Sequence, residues 1–457
     1  MGDVAAVFKA YDVRGLVPEE LDAGLTRSIG GAFARLVRSE EPGTTSVVVA
    51  RDMRPSGGEL SAAFIDGVTA LGLDVVDIGL ASTDMLYFAS GHLGTPGAVF
   101  TASHNPAGYN GIKMCLSAAR PIGGDTGLGA MRDDVLAGPG DSDVAADAAR
   151  TGTVTTVDLL DGFADHVRSF VDVPALRPLR VVADTANGMG GLVVPAVFDA
   201  LPFDLEVLFA ELDGTFPNHP ADPIQPENLV DLRERVLATG ADVGLAFDGD
   251  ADRVFLVDEL GQPVSGTLTT ALVARSVLRR EPGATIVHNL ICGSVVPEVI
   301  AEGGGHAVRT RVGHSIIKAV MAHEGAAFGG EHSGHYYFRD NWRADSGLIA
   351  ALTVLEELSA SGGTLSELLE PFDRYAASGE INARVEDPAA VIERVAQHYA
   401  GSPQDRLDGL TVEPGGWWFN LRPSNTEPLL RLNLEAADAG SCAARVAEVR
   451  TLIDGAG

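Results

Sequence analysis

The chain has 457 residues, too many for one hydrophobic core, and the usual size of a domain implies three or four. Hydrophobic residues make up 46% and charged residues 21%, which excludes disordered and collagen-like classes. Asp and Glu total 63 against 33 Lys and Arg, a net charge of -30, so neither nucleic acid nor an anionic membrane is expected as a partner; an anionic small molecule would need its own cluster of cations and backbone amides.

In chain order, FKAYDVRG (residues 8–15) reads as a short N-terminal strand with a salt bridge, carrying Lys9, Tyr11, Asp12 and Arg14. SVVVARD (46–52), DVVDIG (74–79) and GAVFTAS (97–103) are strands. Between them, 56–73 and 82–94 are helices, a rhythm that implies parallel pairing through crossovers. The apolar run Ala98-Val99-Phe100 ends in Thr101-Ala102-Ser103-His104-Asn105-Pro106. This is either a displayed nucleophile or a polar loop closed by an Asn-Pro turn. Gly108 to Gly111 read as a turn that brings Lys113 back towards Ser103.

Residues 120–157 are rich in Gly, Asp and Ala, and a boundary is placed near residue 150. A second α/β rhythm follows: LRVVADTANGMGG (179–191), DLEVLFAEL (204–212), a helix at 228–240 and a strand at 241–247. Its Gly188-Met189-Gly190-Gly191 cluster is not a dinucleotide fingerprint, because the third glycine would fall at Val193. A third rhythm contains strands at 284–290, 306–313 and 326–330 between helices at 268–280, 294–304 and 315–325. The last part reads as a smaller α+β domain: strand 381–387, helix 388–400, two strands within 417–436 and a closing helix, 442–453. The expected domains are 1–150, 151–255, 256–368 and 369–457.

Three further loops carry chemistry. In Asp248-Gly249-Asp250-Ala251-Asp252-Arg253, carboxylates at alternate positions can share a hard cation such as Mg2+. An EF-hand fails here because Arg253 stands where that loop needs glycine; a solvated acidic turn is the plain alternative. Gly330-Glu331-His332-Ser333-Gly334-His335 suits the holding of sugar hydroxyls. Zinc at His332 and His335 lacks a third ligand nearby in the sequence. Arg422-Pro423-Ser424-Asn425-Thr426-Glu427-Pro428 is either a phosphate cradle or a polar hairpin turn. The three cysteines, Cys115, Cys292 and Cys442, form no CxxC pair, so a reducing, cytoplasmic setting is expected. No secretory leader or membrane-spanning run is read.

TASHNP, DGDADR, GEHSGH and RPSNTEP, in this order and at domain-scale spacing, resemble the phosphoserine, metal, sugar and phosphate loops of the α-D-phosphohexomutase family, across essentially the whole chain. The resemblance implies an α/β fold: three similar mixed α/β domains plus a smaller C-terminal α+β domain around a central cleft, the last a mobile lid. It implies Ser103 as the phosphorylated serine, and Asp248, Asp250 and Asp252 holding Mg2+ together with a phosphate oxygen of Ser103. Glu331 and Ser333 would bind sugar hydroxyls, and Arg422, Ser424, Asn425 and Thr426 the unreacting phosphate. Lys113, His335 and Arg14 would lie near the reacting hydroxyl, with Arg253 and His314 in support.

The implied reaction interconverts hexose 6-phosphate and hexose 1-phosphate through a hexose 1,6-bisphosphate. Mannose is the expected sugar and glucose a further one. The partners are then small sugar phosphates, with the chain a monomer or homodimer. A phosphoglucosamine mutase, a non-catalytic sugar-phosphate-binding protein and a Mg2+-dependent phosphatase are the alternatives. One departure is that HNLICGS (288–294) offers only His288 where many relatives carry a basic residue.

Overall fold

The structure, a computed structural model, describes residues 4–138, 151–423 and 429–455. The chain packs as two compact units, one from residues 1–265 and 333–368, the other from 266–332 and 369–457.

The first unit holds two sheets. The strands of the first are β1 (Val13–Leu16), β2 (Ser46–Arg51), β3 (Asp74–Leu80), β4 (Gly97–Phe100), β5 (Tyr109–Leu116), β6 (Arg120–Pro121) and β7 (Val154–Thr156), in the order β1-β5-β4-β2-β3-β7 with β6 beside β5. β2, β3 and β4 pair in parallel, as their apolar runs predict, and β7, a short exposed strand not assigned from the sequence, pairs in parallel with β3. β5 runs antiparallel to β4, and β1 antiparallel to β5, so the sheet is mixed rather than wholly parallel. The expected turn at 108–111 is corrected accordingly: Tyr109 already belongs to β5, and the chain reverses between Phe100 and Tyr109. Lys113 still returns, as the partner of Val99 in the ladder. The second sheet contains β8 (Arg180–Asp184), β9 (Asp204–Leu208), β10 (Val243–Phe247), β11 (Val254–Asp258) and β12 (Pro263–Val264), ordered β12-β11-β10-β8-β9. β8, β9 and β10 are parallel, and β10 and β11 form an antiparallel hairpin.

A helix over Ala23–Glu40, not assigned from the sequence, packs on the helix Gly57–Ala70. Its Gly30-Gly31 pair weakens the helical pattern, yet glycine is what the crossing requires. A Cβ on Gly30 would lie 2.3 Å from the carbonyl oxygen of Phe64, and one on Gly67 would lie 2.1 Å from that of Arg27. Beneath the crossing, Phe64 packs against Phe33 and Phe100 at ring separations of 5.5 Å, so β4 is anchored just before Ser103.

The second unit holds β13 (Thr285–Asn289), β14 (His306–Thr310) and β15 (Phe328–Gly330), all parallel. It also holds an antiparallel sheet of β17 (Ala376–Ala383), β18 (Gln404–Asp405), β19 (Leu410–Val412), β20 (Trp417–Pro423) and β21 (Leu430–Ala436), ordered β17-β21-β20-β19-β18. β16 (Tyr336–Phe338) lies in the residues of the first unit. β17 begins before the expected 381–387 and ends at Ala383, since its pairing with β21 runs from Ala376 to Ala383. The helices Pro388–His398 and Ala439–Ile453 bury Val391, Val395, Val449 and Ile453 in one core with Phe419, Leu421 and Leu432 of this sheet. Among the described residues no single helix is long and apolar enough to cross a membrane.

The close helix crossing makes a prediction. Gly67→Ala should destabilise the chain by about 2 kcal/mol, because the added methyl meets backbone that no rotamer change can relieve. Gly58→Ala, whose Cβ would meet nothing within 4 Å, should be neutral or stabilising. Thermal unfolding of the two variants checks this; equal transitions would contradict the packing account.

Candidate active site

β4 is buried along its length and ends at the serine loop. The Thr101 hydroxyl accepts a 2.9 Å hydrogen bond from the Ser103 amide, and the Asn105 amide donates to Ala102. Ser103 sits at φ 47°, left-handed backbone that costs a non-glycine residue energy and persists only when its surroundings impose it. Arg54 imposes it. This 1% exposed guanidinium donates to the carbonyls of Ser103, Asn105, Pro106 and Tyr109 at 2.6–2.8 Å, while Asp52 holds its Nε side at 3.2 Å. Burial raises the Asp52 pKa to about 6 against the pull of Arg54. Arg54 is missed in the sequence because RDMRP carries no recognisable motif; its only signal is a second polar cluster at a strand end.

The β10–β11 turn brings Asp248, Asp250 and Asp252 to the serine. Their ligand oxygens lie within 4.8 Å of one another, and all three residues are at most 1% exposed. The Ser103 hydroxyl donates to Asp248 Oδ2 at 2.7 Å. Gly249 makes the approach possible, since a Cβ there would come within 2.5 Å of the Ser103 carbonyl oxygen.

Two cations balance the carboxylates. Lys113 Nζ from β5 reaches Asp250 Oδ2 at 2.7 Å and Asp252 Oδ2 at 2.6 Å, and Arg253 Nε reaches Asp248 Oδ2 at 2.8 Å. Thr83, at a helix start, donates to Asp250 Oδ2 at 2.6 Å. Burial and the neighbouring carboxylates push Asp248 up to about 7 despite Arg253. Burial, with the charge of Asp250, also raises Asp252. Asp250 overcomes its desolvation through Lys113 and Thr83 and lies well below the usual range. Lys113 is itself desolvated, yet Asp250 and Asp252 hold its pKa well above that of a free lysine.

The remaining oxygens, Asp250 Oδ1 and Asp252 Oδ1, have no hydrogen-bond partner among the described residues. Like charges at about 4 Å repel by roughly 4 kcal/mol even at an effective dielectric of 20. A buried, oxygen-only donor set with spare acceptors fits a hard divalent cation, so the acidic cluster could hold a metal.

His104 lies 3.3 Å from the Ser103 hydroxyl through Nδ1, but that atom is 2.6 Å from Arg253 Nη2. A guanidinium only donates, so Nδ1 accepts. Desolvation and the Arg253 charge hold His104 well below its ordinary pKa. It is therefore a neutral brace for Arg253. His335 Nδ1 lies 2.9 Å from Asp345 and 3.7 Å from Asp252, and these carboxylates outweigh burial to raise its pKa. Arg14 contacts Asn105 Oδ1 at 2.6 Å and Asp12 at 2.5 Å, which ties β1 to the serine loop and contains the salt bridge expected in FKAYDVRG.

The first unit thus brings together Ser103, Lys113, the three aspartates, Arg253 and His335, with Arg14 at the loop. Ser333 also belongs to it, whereas Glu331 belongs to the second unit. There, Glu331 is 1% exposed and accepts from Asn289 Nδ2 at 3.1 Å and the Gly313 amide at 3.3 Å. Buried Arg422 pairs with Glu380 at 3.3 Å. His288 is kept neutral, with its pKa lowered to about 4 by burial. His314 begins the helix His314–Glu324, but its side chain lies outside the described residues, as do Ser424, Asn425 and Thr426.

Four domain models match in order: phosphoglucomutase/phosphomannomutase alpha/beta/alpha domain I over residues 5–128, domain II over 161–261, domain III over 265–375 and the C-terminal domain over 380–452. The chain belongs to the phosphoglucomutase/phosphomannomutase family. A phosphomannomutase of Salmonella montevideo is 41% identical, covering 98% of each chain. The structure of a family protein from Burkholderia thailandensis superposes with a TM-score of 0.89 at 34% identity, covering 100% of this chain and 98% of that one. An N-acetylphosphoglucosamine mutase of Aspergillus fumigatus, solved in complex with glucose 1,6-bisphosphate, shares the fold with a TM-score of 0.62 at 13% identity, covering 100% of this chain and 97% of that one. With this membership the chain is an isomerase of the hexose phosphate mutase class, and its four-domain architecture is the one expected from the loop motifs.

The Arg54 clamp makes a prediction for the mutase reaction. Arg54→Ala should lower kcat/KM by about 100-fold or more, the cost of a reacting group misplaced by roughly 1 Å. Arg54→Lys should recover little, because one ammonium cannot reproduce the forked contacts. A coupled assay of the two variants checks this; near-normal turnover in Arg54→Ala would mean that the loop holds itself.

Proposed function

We propose that the chain interconverts hexose 6-phosphate and hexose 1-phosphate, with mannose phosphate the principal substrate and glucose phosphate a further one, by way of phosphorylated Ser103 and a hexose 1,6-bisphosphate. One observation carries the reading: a strained serine hydroxyl, 5% exposed, is aimed at the carboxylate cluster with Lys113 and Arg253 in the same pocket of charge. Such a cluster suits a phosphoryl group better than an acyl intermediate. With a bound hard cation it can offset the charge on a transferring phosphoryl group, and among the described residues the imidazole next to the serine, His104, is engaged with Arg253.

In the first transfer, the bond from phosphorus to Ser103 Oγ breaks as a bond to the sugar hydroxyl oxygen forms. The hydroxyl proton passes to a basic side chain. Of Lys113 and His335, His335 is the candidate: Asp250 and Asp252 hold Lys113 as an ammonium, its pKa well above that of a free lysine, and the Arg14 guanidinium only donates. After the bisphosphate turns over, Ser103 Oγ takes the other phosphoryl group as its bond to the sugar oxygen breaks, and that oxygen takes the proton back from the same side chain. Asp248, Asp250 and Asp252 would hold Mg2+, which when bound supplies positive charge against the phosphoryl oxygens.

Arg253 fixes Asp248 beside the serine. Glu331 and Ser333 are assigned to sugar hydroxyls, and Arg422, Ser424, Asn425 and Thr426 to the phosphate that does not react, with His314 in support. The phosphomannomutase relative favours mannose; the glucose 1,6-bisphosphate bound by the Aspergillus enzyme fits the intermediate.

Coupled assays with mannose 1-phosphate, glucose 1-phosphate and glucosamine 1-phosphate test the substrate. Mannose 1-phosphate should give the highest kcat/KM, and turnover of the amino sugar alone would overturn the assignment. Ser103→Ala should lower turnover on the order of 1000-fold or more; unchanged turnover would remove Ser103 from the mechanism.

A further inference from the structure

We propose that Asp252, His335 and Asp345 form a second metal site, suited to a borderline transition ion of the zinc class, beside the all-oxygen cluster. His335 Nδ1 lies 2.9 Å from Asp345 Oδ2 and 3.7 Å from Asp252 Oδ1. Ligand atoms of the three residues lie within 4.8 Å of one another. Donors held about 2.0–2.1 Å from a tetrahedral ion stand roughly 3.3 Å apart, so the present spacing needs only small side-chain adjustments.

A second observation is independent of the cluster. The Asp252 carboxylate, 1% exposed, faces two ways: Oδ2 receives Lys113 at 2.6 Å, while Oδ1, on the His335 side, has no hydrogen-bond partner among the described residues. The neighbouring backbone is fixed. Arg253 and His335 form a β-bridge, and so do Tyr337 and Asp345. Next to Asp345, the Ser346 hydroxyl donates to Asp84 at 2.8 Å.

The donor set distinguishes this site from its neighbour. One imidazole and two carboxylates, leaving a coordination position for solvent, match zinc-class ions, whereas Mg2+ prefers oxygen alone. The ligands come from three separate places in the sequence, so no short spacing announces them. The HxxH pair is not the site: His332 Nδ1 is engaged with Thr267 Oγ1 at 2.9 Å. Binding displaces the proton of His335 Nδ1 to solvent, so an occupied site withdraws that nitrogen from proton transfer.

The test uses the full chain, stripped of metal, saturated with Mg2+ and titrated with Co2+. Visible absorption reports the coordination geometry and equilibrium dialysis the stoichiometry. One Co2+ per chain should bind in the presence of Mg2+ with the intense bands of a four-coordinate ion. Asp345→Asn and His335→Asn should each weaken binding by about 10-fold or more, while Asp248→Asn, outside the proposed ligands, retains it. Unfolding transitions of the variants verify that they are folded, and the pair guards against failure of either one. Displacement of Co2+ by Mg2+, only weak six-coordinate bands, or unchanged affinity in both Asp345→Asn and His335→Asn would overturn the proposal.

Discussion

The first unit depends on a buried balance of charge. Asp248, Asp250 and Asp252 leave water together at the β10–β11 turn. Desolvation of that size is offset only if opposite charge arrives with good geometry. Lys113 arrives from the first sheet and Arg253 from the second. The cluster is therefore also a joint: the residues that neutralise it tie two separately formed sheets together. Removal of either cation would leave a buried carboxylate uncompensated, which is far costlier than losing a surface ion pair.

The serine loop meets this charge under strain. Glycine would relieve the φ of 47° at Ser103, but glycine has no hydroxyl to offer. The chain instead keeps the serine and imposes its backbone from outside, by the four carbonyls that Arg54 gathers and by the Thr101 hydroxyl. A glycine is used on the opposing side, at Gly249, where side-chain absence lets the two loops touch. Positioning and chemistry are thus divided between residues: Arg54 never reaches the Ser103 hydroxyl, yet determines where that hydroxyl points.

What the sequence makes legible follows from which interactions are local. Continuous apolar runs such as SVVVA and DVGLAF mark buried strands because both faces of each are covered, and the loops at their ends reveal Ser103 and the three aspartates. The helix Ala23–Glu40 is obscured by Gly30 and Gly31, and the reason for Gly30 is Phe64, some 35 residues away in the chain. β5 is obscured by the turn-like composition of Tyr109-Asn110-Gly111; Gly111 is required because a Cβ would come 2.3 Å from the Val13 carbonyl oxygen. Arg54, Thr83 and Asp345 act on the site from elements with no motif of their own, and His104, next to the serine in sequence, turns out to serve Arg253. Adjacency in the chain was a poor guide to partnership, whereas strand ends were a good one.

On the proposed function, the Ser103 hydroxyl carries the phosphoryl group. The direct measurement is peptide mass spectrometry of the purified chain after incubation with a hexose 1,6-bisphosphate. One added phosphoryl group is expected, on the peptide containing Ser103 and located at that residue by fragmentation. A chain that stays unmodified, or that carries its phosphate on another residue, would contradict it.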